Sequence, residues 1–400
     1  MALRTLSDLE DSQFDDKRVF VRVDFNVSIH DGAIGEDYRI RMSLPTIEYL
    51  AKRGARVILA SHLGRPQGPN QLYSLAPVAK RLTEIFRRSR PPIKFAKDCI
   101  GIEIEDLISK MKKGDILLLE NLRFHREEEA NDPEFSKKLA SLAEIYVNDA
   151  FSTSHRKHSS TYGAAWLFDT RLAGFNLSKE VKYLSMIKES PVKPFTLVLG
   201  GVKIKDKIGA LEHLLPKADK VIIGGAAAYT FLKAKGVRTG NSLIDQDHLT
   251  WVQNALSTYG DKILLPTDHV CARSPNDTSV TMVTGDIPHG LSGFDIGNET
   301  IEHYSAQVGG NGGGTLFWNG PMGMFEIKPF SNGTMNIAKS VALAYWRGSQ
   351  TLIGGGDTLE AMKKAGVAEN EVSHVSTGGG ATLRYLAGDE MPGLVILNSH

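Results

Sequence analysis

Cysteine is nearly absent from these 400 residues: Cys99 and Cys271 are the two present. They lie far apart, and neither has a CxxC partner. The chain therefore has no disulfide framework and no thiolate zinc motif, and a reducing compartment fits. Long apolar runs are missing too, since none approaches the about 18 residues that a membrane span needs. The opening stretch MALRTLSDLEDSQF is acidic and lacks the basic-then-apolar order of a secretion signal. A cytoplasmic location is expected. Excess charge of either sign is also lacking: 47 Lys and Arg stand against 46 Asp and Glu, a formal net charge of +1. That balance argues against nucleic acid and membrane surfaces as partners. Split after residue 190, the first part holds 30 basic against 27 acidic residues and the rest 17 against 19, so neither half is extreme. Neither GxxxxGK[ST] nor GxGxxG occurs, which removes the Walker and dinucleotide loops. No fixed-period repeat, heptad or low-complexity tract is present, and with no long apolar patch in the sequence a monomer is the default expectation.

What is present is alternation. Short β-branched runs bounded by Gly, Pro or Asp give way to segments of helical periodicity along the whole chain. Strands are expected near 18–23, 56–60, 115–120 and 145–148, then near 195–199, 219–223, 262–266, 279–283, 315–318, 350–353 and 372–375. Helices are expected at about 45–53, 75–88 and 134–143, then near 205–214, 227–234, 300–307, 334–346 and 357–364. This rhythm yields βαβ units, parallel sheets and right-handed crossovers. The length exceeds what one core supports, so two or three domains are expected. The stretch 178–194, an amphipathic helix running into two prolines, is the expected linker.

Ligands in open α/β sheets bind beyond the carboxyl ends of the strands, so the residues just after each strand carry the chemistry. In the first half these are Asp24 and Asn26, then Ser61-His62-Leu-Gly-Arg65, then Asn121-Leu-Arg123-Phe-His125, then Asp149 through Arg156; Arg39 falls in the loop before the first helix. Arg presents a planar fork that pairs with phosphate or carboxylate, so the cluster fits a small polyanion, with Asp24 and Asn26 orienting a hydroxyl. The plainer alternative pairs individual arginines with Asp149 or with the Glu127–Glu129 run, itself read as a solvated face. His62, His125, His155 and His158 have no HExxH helix, and a phosphate-pairing or structural role is expected of them.

The second half replaces arginine with glycine. Gly200-Gly201-Val-Lys203 through Lys207, Gly224-Gly225, Asn319-Gly320-Pro321-Met-Gly323, Gly354-Gly355-Gly356-Asp357-Thr358 and Gly378-Gly379-Gly380 each follow a strand. Glycine lets backbone approach a phosphate, and a helix starting there aims N–H groups at it. Lys203 and Lys207, four apart at a helix start, share one face. Asp357 can hold Mg²⁺ through one carboxylate plus nucleotide phosphates. The run 309–314 precedes a strand and is read as a flexible loop. An anion site in one domain and a nucleotide site in the other point to phosphoryl transfer across the cleft between them. Two rival readings are a dehydrogenase, which should carry GxGxxG, and a non-catalytic sugar-phosphate or nucleotide binding protein, which would leave the lysines and GGGDT idle.

The segments VRVDFNV (21–27), SHLGRP (61–66), LLENLRFH (118–125), YVNDAF (146–151), GGVKIKDKIG (200–209), FWNGPMGMFE (317–326), IGGGDT (353–358) and HVSTGGGAT (374–382) stand in one order. With them the whole chain resembles the phosphoglycerate kinase family. The resemblance implies two Rossmann-like α/β domains, each a parallel sheet flanked by helices, joined by a hinge helix with the active site in the interdomain cleft. It divides the chain into a 3-phosphoglycerate-binding domain (1–177), the linker (178–194), a nucleotide-binding domain (195–385) and a tail (386–400) returning to the first domain. It places Asp24, Asn26, Arg39, His62, Arg65, Arg123 and Arg156 on 3-phosphoglycerate. On the nucleotide it places Lys203, Lys207, Asn319, Gly355, Gly356, Asp357 and Thr358, and it adds Gly297 near the base and Glu326 on the ribose side. The implied reaction is 1,3-bisphosphoglycerate plus ADP giving 3-phosphoglycerate and ATP, reversibly and by direct in-line transfer with domain closure. Arg39, Lys203 and Lys207 are the implied catalytic groups and Asp357 the Mg²⁺ ligand. Departures are Ser28 for Pro, Gln67 for Lys, Ser152 and Ser154 for Gly and Ala, and Asn298 for Pro after DIG; none is expected to touch a charge-bearing position.

Overall fold

The computed structural model describes residues 3–30, 32–86, 93–277, 279–310 and 312–398. It divides into two compact units, Met1–Lys182 with Glu390–His400, and Tyr183–Asp389. The parts of the expected 75–88 helix, 309–314 loop and 386–400 tail that fall on residues 87, 88, 311, 399 and 400 lie outside the described residues.

The first unit is built on strands β1 (Arg18–Arg22), β2 (Arg56–Ala60), β3 (Lys94–Phe95), β4 (Ile116–Leu118), β5 (Ile145–Asn148) and β6 (Thr170–Ala173). They form one parallel sheet in the order β3-β4-β2-β1-β5-β6. β2, β4 and β5 are apolar almost throughout because helices cover both faces of a parallel sheet, and Val19, Val21, Val57, Leu59, Leu118 and Val147 are all buried. Successive strands leave β1 in opposite directions, to β2 and to β5, which makes the carboxyl end of β1 a switch point where ligand crevices form. The final helix, Pro392–Asn398, belongs to this unit. Gly393 donates from its N–H to the Ser154 carbonyl at 2.8 Å.

The second unit holds β7 (Phe195–Leu199), β8 (Lys220–Ile223), β9 (Ile263–Leu264), β10 (Asp268–Ala272), β11 (Thr281–Thr284), β12 (Ser292–Ile296), β13 (Thr315–Asn319), β14 (Gln350–Gly354) and β15 (His374–Ser376). Its main sheet, β9-β8-β7-β13-β14-β15, is parallel, with the switch point between β7 and β13. β10, β11 and β12 form a separate antiparallel ribbon, β11-β10-β12. The expectation that the 279–283 strand joins a parallel sheet is therefore corrected.

Two further local readings change. The first helix runs Tyr38–Lys52 with Pro45 inside it, so it starts seven residues before the expected 45. Burial of Tyr38 and Ile40 outweighs the ladder bond that Pro45 cannot donate. Arg39 is consequently on the helix's first turn rather than in the preceding loop. Lys203 sits in irregular backbone ahead of a short 3₁₀ turn, Lys205–Lys207, and the α-helix begins only at Ile208; the two lysines therefore do not share a helical face. The expected linker stretch is partly helix, Phe175–Glu189.

Candidate active site

In the first unit, β1, β2, β4 and β5 deliver the polyanion-binding candidates to one rim. Asp24 is buried, and its carboxylate takes three partners. Arg39 Nη1 forms an ion pair with it, Ser152 Oγ donates to Oδ2 at 2.7 Å, and the Asn26 N–H donates to Oδ1 at 3.1 Å. Asn26 in turn accepts the Gly64 N–H at 2.9 Å, which fixes the loop that carries exposed Arg65. Ser152 thus touches a charge-bearing position, contrary to expectation.

His62 is 5 % exposed. Burial, followed by the positive charges of Arg22, Arg123, Arg156 and Arg39, holds its pKa well below the ordinary value. Its Nδ1 lies 3.1 Å from Arg22 Nη2, and a guanidinium can only donate, so Nδ1 accepts and the ring proton sits on Nε2. His158 is pushed down to about 3 by burial and then by Arg123, Arg156 and Arg22. Arg22, Arg123 and Arg156 act on both histidines and Arg39 on His62 as well, so positive charge is concentrated at this rim.

Arg22 was missed by sequence reasoning. It is 1 % exposed and anchored by Ser160 Oγ at 2.8 Å, which donates onward to Glu128 Oε1 at 2.6 Å. The available signal was a basic residue at the carboxyl end of an otherwise buried strand. Glu127 and Glu129 are exposed, as a solvated face requires, but Glu128 is fully buried, and Glu129 lies 3.0 Å from Arg123 Nε. Arg123 Nη1 donates to the Gly64 carbonyl at 2.6 Å, while its buried Nη2 has no hydrogen-bond partner among the described residues and remains available to a ligand. Arg156 Nε donates to His155 Nε2 at 3.1 Å. Asp149 takes no part in this network; it accepts the Asn176 and Leu177 N–H groups at 2.9 and 3.3 Å, capping the Phe175–Glu189 helix.

In the second unit an open cavity of about 380 Å³ lies at the β7/β13 switch point. Gly201, Lys203 and Lys207 line one wall, Asn319 and Gly320 the floor, and Gly355, Gly356, Asp357 and Thr358 the other wall. Gly320 has φ +96° and approaches Gly200 so closely that a Cβ would lie 2.4 Å from the Gly200 carbonyl oxygen. Thr358 Oγ1 accepts the Gly320 N–H at 2.8 Å, and Asn319 Nδ2 donates to the Gly354 carbonyl at 2.8 Å, which binds the two loops together. The helix Gly356–Lys364 starts in this wall and aims its first N–H groups at the cavity. Lys207 is largely buried; desolvation lowers its pKa, partly countered by Asp206 and Asp357.

Gly224, Gly225, Gly297 and Glu326 do not line this cavity. Gly225 backs onto the Gly201 turn, where a Cβ would meet the Gly201 nitrogen at 2.5 Å, and its N–H donates to the Met322 carbonyl at 2.8 Å. Gly297 opens the helix Asn298–Gly309, whose first N–H groups are taken by the Asp268 carboxylate at 3.0 and 2.8 Å. Glu326 is exposed, as is Asn298.

The phosphoglycerate kinase sequence profile matches residues 9–389. The chain belongs to the phosphoglycerate kinase family. Among relatives in this family, the phosphoglycerate kinase of Dictyoglomus turgidum is 47% identical over 403 residues, covering 99% of both chains. That of Anaeromyxobacter dehalogenans is 46% identical over 403 residues, 98% of this chain and 99% of the relative. The solved structure of phosphoglycerate kinase from Coxiella burnetii is 37% identical with a TM-score of 0.85 over 99% of each chain. The enzyme from Pyrococcus horikoshii is 31% identical, again with a TM-score of 0.85, over 99% of this chain and 98% of that one. The chain is accordingly a kinase of the two-domain α/β phosphoglycerate kinase fold, and its reaction is the reversible phosphoryl transfer between 1,3-bisphosphoglycerate and ADP. Nothing favours the non-catalytic or dehydrogenase readings. No helix among the described residues is long and apolar enough to cross a membrane.

Proposed function

We propose that the first unit holds 3-phosphoglycerate and the second holds the nucleotide, with named residues dividing the work of transfer. The observation that supports this assignment is the gathering at one rim of Arg39 on buried Asp24, Arg22 on buried His62, and Arg123 with a buried Nη2 that has no hydrogen-bond partner among the described residues. Asp24 and Asn26 orient the acceptor's hydroxyl, while His62 Nε2–H, Arg65, Arg123 and Arg156 face its phosphate and carboxylate. Arg39 and Lys203 neutralise charge on the transferring group. Lys207 pairs with the nucleotide's phosphates beside the N–H groups of Gly355, Gly356 and Thr358. Gly225, next to Gly224, backs the Gly201 turn of the nucleotide site; Gly297 is assigned near the base and Glu326 on the ribose side, as the family resemblance implies.

Asp357 fits Mg²⁺: a single exposed carboxylate on the first helical turn, flanked by a cationic lysine for phosphate and open to water, matches how a nucleotide site uses this ion. Held there by Asp357, the ion would supply charge neutralisation to the nucleotide's phosphates. The protein's own contribution is positioning and charge stabilisation. A carboxylate acceptor needs no general base, so the absence of an acid-base dyad among the described pocket residues is consistent with acyl-phosphate chemistry. Direct transfer requires the two units to close during turnover and shut out water. We also propose a monomeric, cytoplasmic enzyme. A coupled assay of ATP-dependent phosphorylation of 3-phosphoglycerate, run with and without Mg²⁺, tests the assignment: robust activity that collapses on chelation is expected, and metal-independent turnover overturns the role given to Asp357.

A further inference from the structure

The carboxyl ends of β3 and β4 bring together three side chains that the transfer reaction does not use. Asp98 and Cys99 follow β3, and His125 follows the 3₁₀ turn Leu122–Phe124 beyond β4. The strands are neighbours, and the loops are stitched to each other by the Glu120 N–H, which donates to the Asp98 carbonyl at 3.3 Å. An Asp98 oxygen lies 2.6 Å from His125 Nε2. The His125 ring is held against Phe135 with centroids 5.2 Å apart, and the Asp98 carboxylate is oriented by the Cys99 N–H at 2.6 Å. Cys99 is fully buried, and one ligand atom from each of the three residues lies within 4.8 Å of the other two.

We propose that Asp98, Cys99 and His125 form a binding site for a thiophilic divalent cation of the Zn²⁺ class. One sulfur, one imidazole nitrogen and one carboxylate oxygen are the three ligand types Zn²⁺ takes, and the solvent-facing side at Asp98 leaves the fourth tetrahedral position to water. With Zn–S at about 2.3 Å and Zn–N and Zn–O at about 2.0 to 2.2 Å, tetrahedral ligand atoms stand about 3.3 to 3.8 Å apart. Taking up the ion thus means parting the 2.6 Å Asp98–His125 contact and drawing in any separation near the 4.8 Å limit, movements of about an ångström. A thiol ligand selects against Mg²⁺, which prefers oxygen, so the site is chemically separate from Asp357 in the other unit. Thiolate and carboxylate balance the dication. On binding, the Cys99 thiol proton leaves to solvent and His125 Nε2 gives up its proton so that its lone pair faces the ion. The sequence hid this site because its cysteine has no CxxC partner; strand adjacency supplies the missing spacing.

The test is titration of the chelator-stripped full chain with Co²⁺ in saturating Mg²⁺, followed by the near-ultraviolet thiolate-to-cobalt charge-transfer band, with Zn²⁺ as competitor. One equivalent per chain, displaced by Zn²⁺ and untouched by Mg²⁺, is expected. Cys99→Ser abolishes the band, and Cys271→Ser leaves it unchanged. Asp98→Asn and His125→Gln, at less buried positions, weaken Co²⁺ binding by at least the ~10- to 100-fold that loss of an outer-shell partner costs. Should Cys99→Ser fail to fold by circular dichroism, the latter two variants decide. Absence of the band in the unmodified chain, its persistence in Cys99→Ser, or unchanged affinity in both Asp98→Asn and His125→Gln overturns the proposal.

Discussion

Arg39 and Asp24 illustrate how the site works at the scale of single residues. The Arg39 side chain is about a third exposed and tied at one end to a buried carboxylate, leaving the rest of its guanidinium for ligand. Losing one such preorganised charge removes transition-state stabilisation, which typically costs about 10² to 10³ in kcat. Arg39→Ala is expected to fall in that range, and Arg39→Lys to restore only part, because an ammonium cannot hold Asp24 and ligand as a planar fork does. Near-normal kcat in Arg39→Ala would remove it from the reacting centre. Asp357→Ala separates the ligands instead. The KM for Mg-ATP should rise at least about tenfold while the KM for 3-phosphoglycerate stays within about twofold. Equal rises would signal general damage. The residues visible in the sequence were those at strand ends; Arg22, Ser152 and Glu128 escaped because their importance lies in partners 138, 128 and 32 positions away.

Elements were legible wherever local pattern and tertiary burial agree. β1, β2, β5, β7 and β13 stand where their β-branched runs put them. Short strands such as Lys94–Phe95 carry too few residues to show a period, and the helix 38–52 extends seven residues ahead of the expected start because Pro45 is tolerated in its interior. Glycine placement was the more informative signal, because the loops after β7 and β13 need it sterically. Gly320 combines φ +96° with backbone contact to Gly200. Gly320→Ala is therefore expected to destabilise the second unit by about 1 to 3 kcal/mol through the disallowed φ, with the clash adding to it. It should also raise the nucleotide KM. Gly356→Ala, where a Cβ meets nothing within 4 Å, serves as the tolerated neighbour. Chemical unfolding followed through Trp318, which lies on β13, measures the difference; equal midpoints for both variants would show the loops to be looser than their packing.

At the scale of the whole molecule, each unit buries a carboxylate that burial keeps from ionising readily. Asp149 in the first and Asp295 in the second are both pushed up to about 7 by burial, only partly offset by the backbone N–H groups they accept. A carboxyl whose folded pKa is raised favours the native state while it is protonated in both states. Below the unfolded pKa of about 3.9 nothing is lost. As pH climbs from about 4 to about 7 the unfolded chain ionises freely while the native state resists, so stability falls, by up to about 4 kcal/mol per group at 1.36 kcal/mol per unit. His62 and His158 act in the opposite sense, because their lowered pKa values cost stability as pH drops below about 6.5. The two effects overlap in the first unit, so the raw pH profile cannot separate them, whereas a difference between variants can. Asp149→Asn carries the same histidines as the unmodified chain. Its stability relative to that chain should be pH-independent below about 4, grow through pH 7 and then level off. Asp295→Asn should repeat this in the second unit, where Trp251, Trp318 and Trp346 report unfolding. A difference that stays flat between pH 4 and 8 would mean that Asp149 is ionised in the native state throughout, held by solvent or by charge that the folded unit admits.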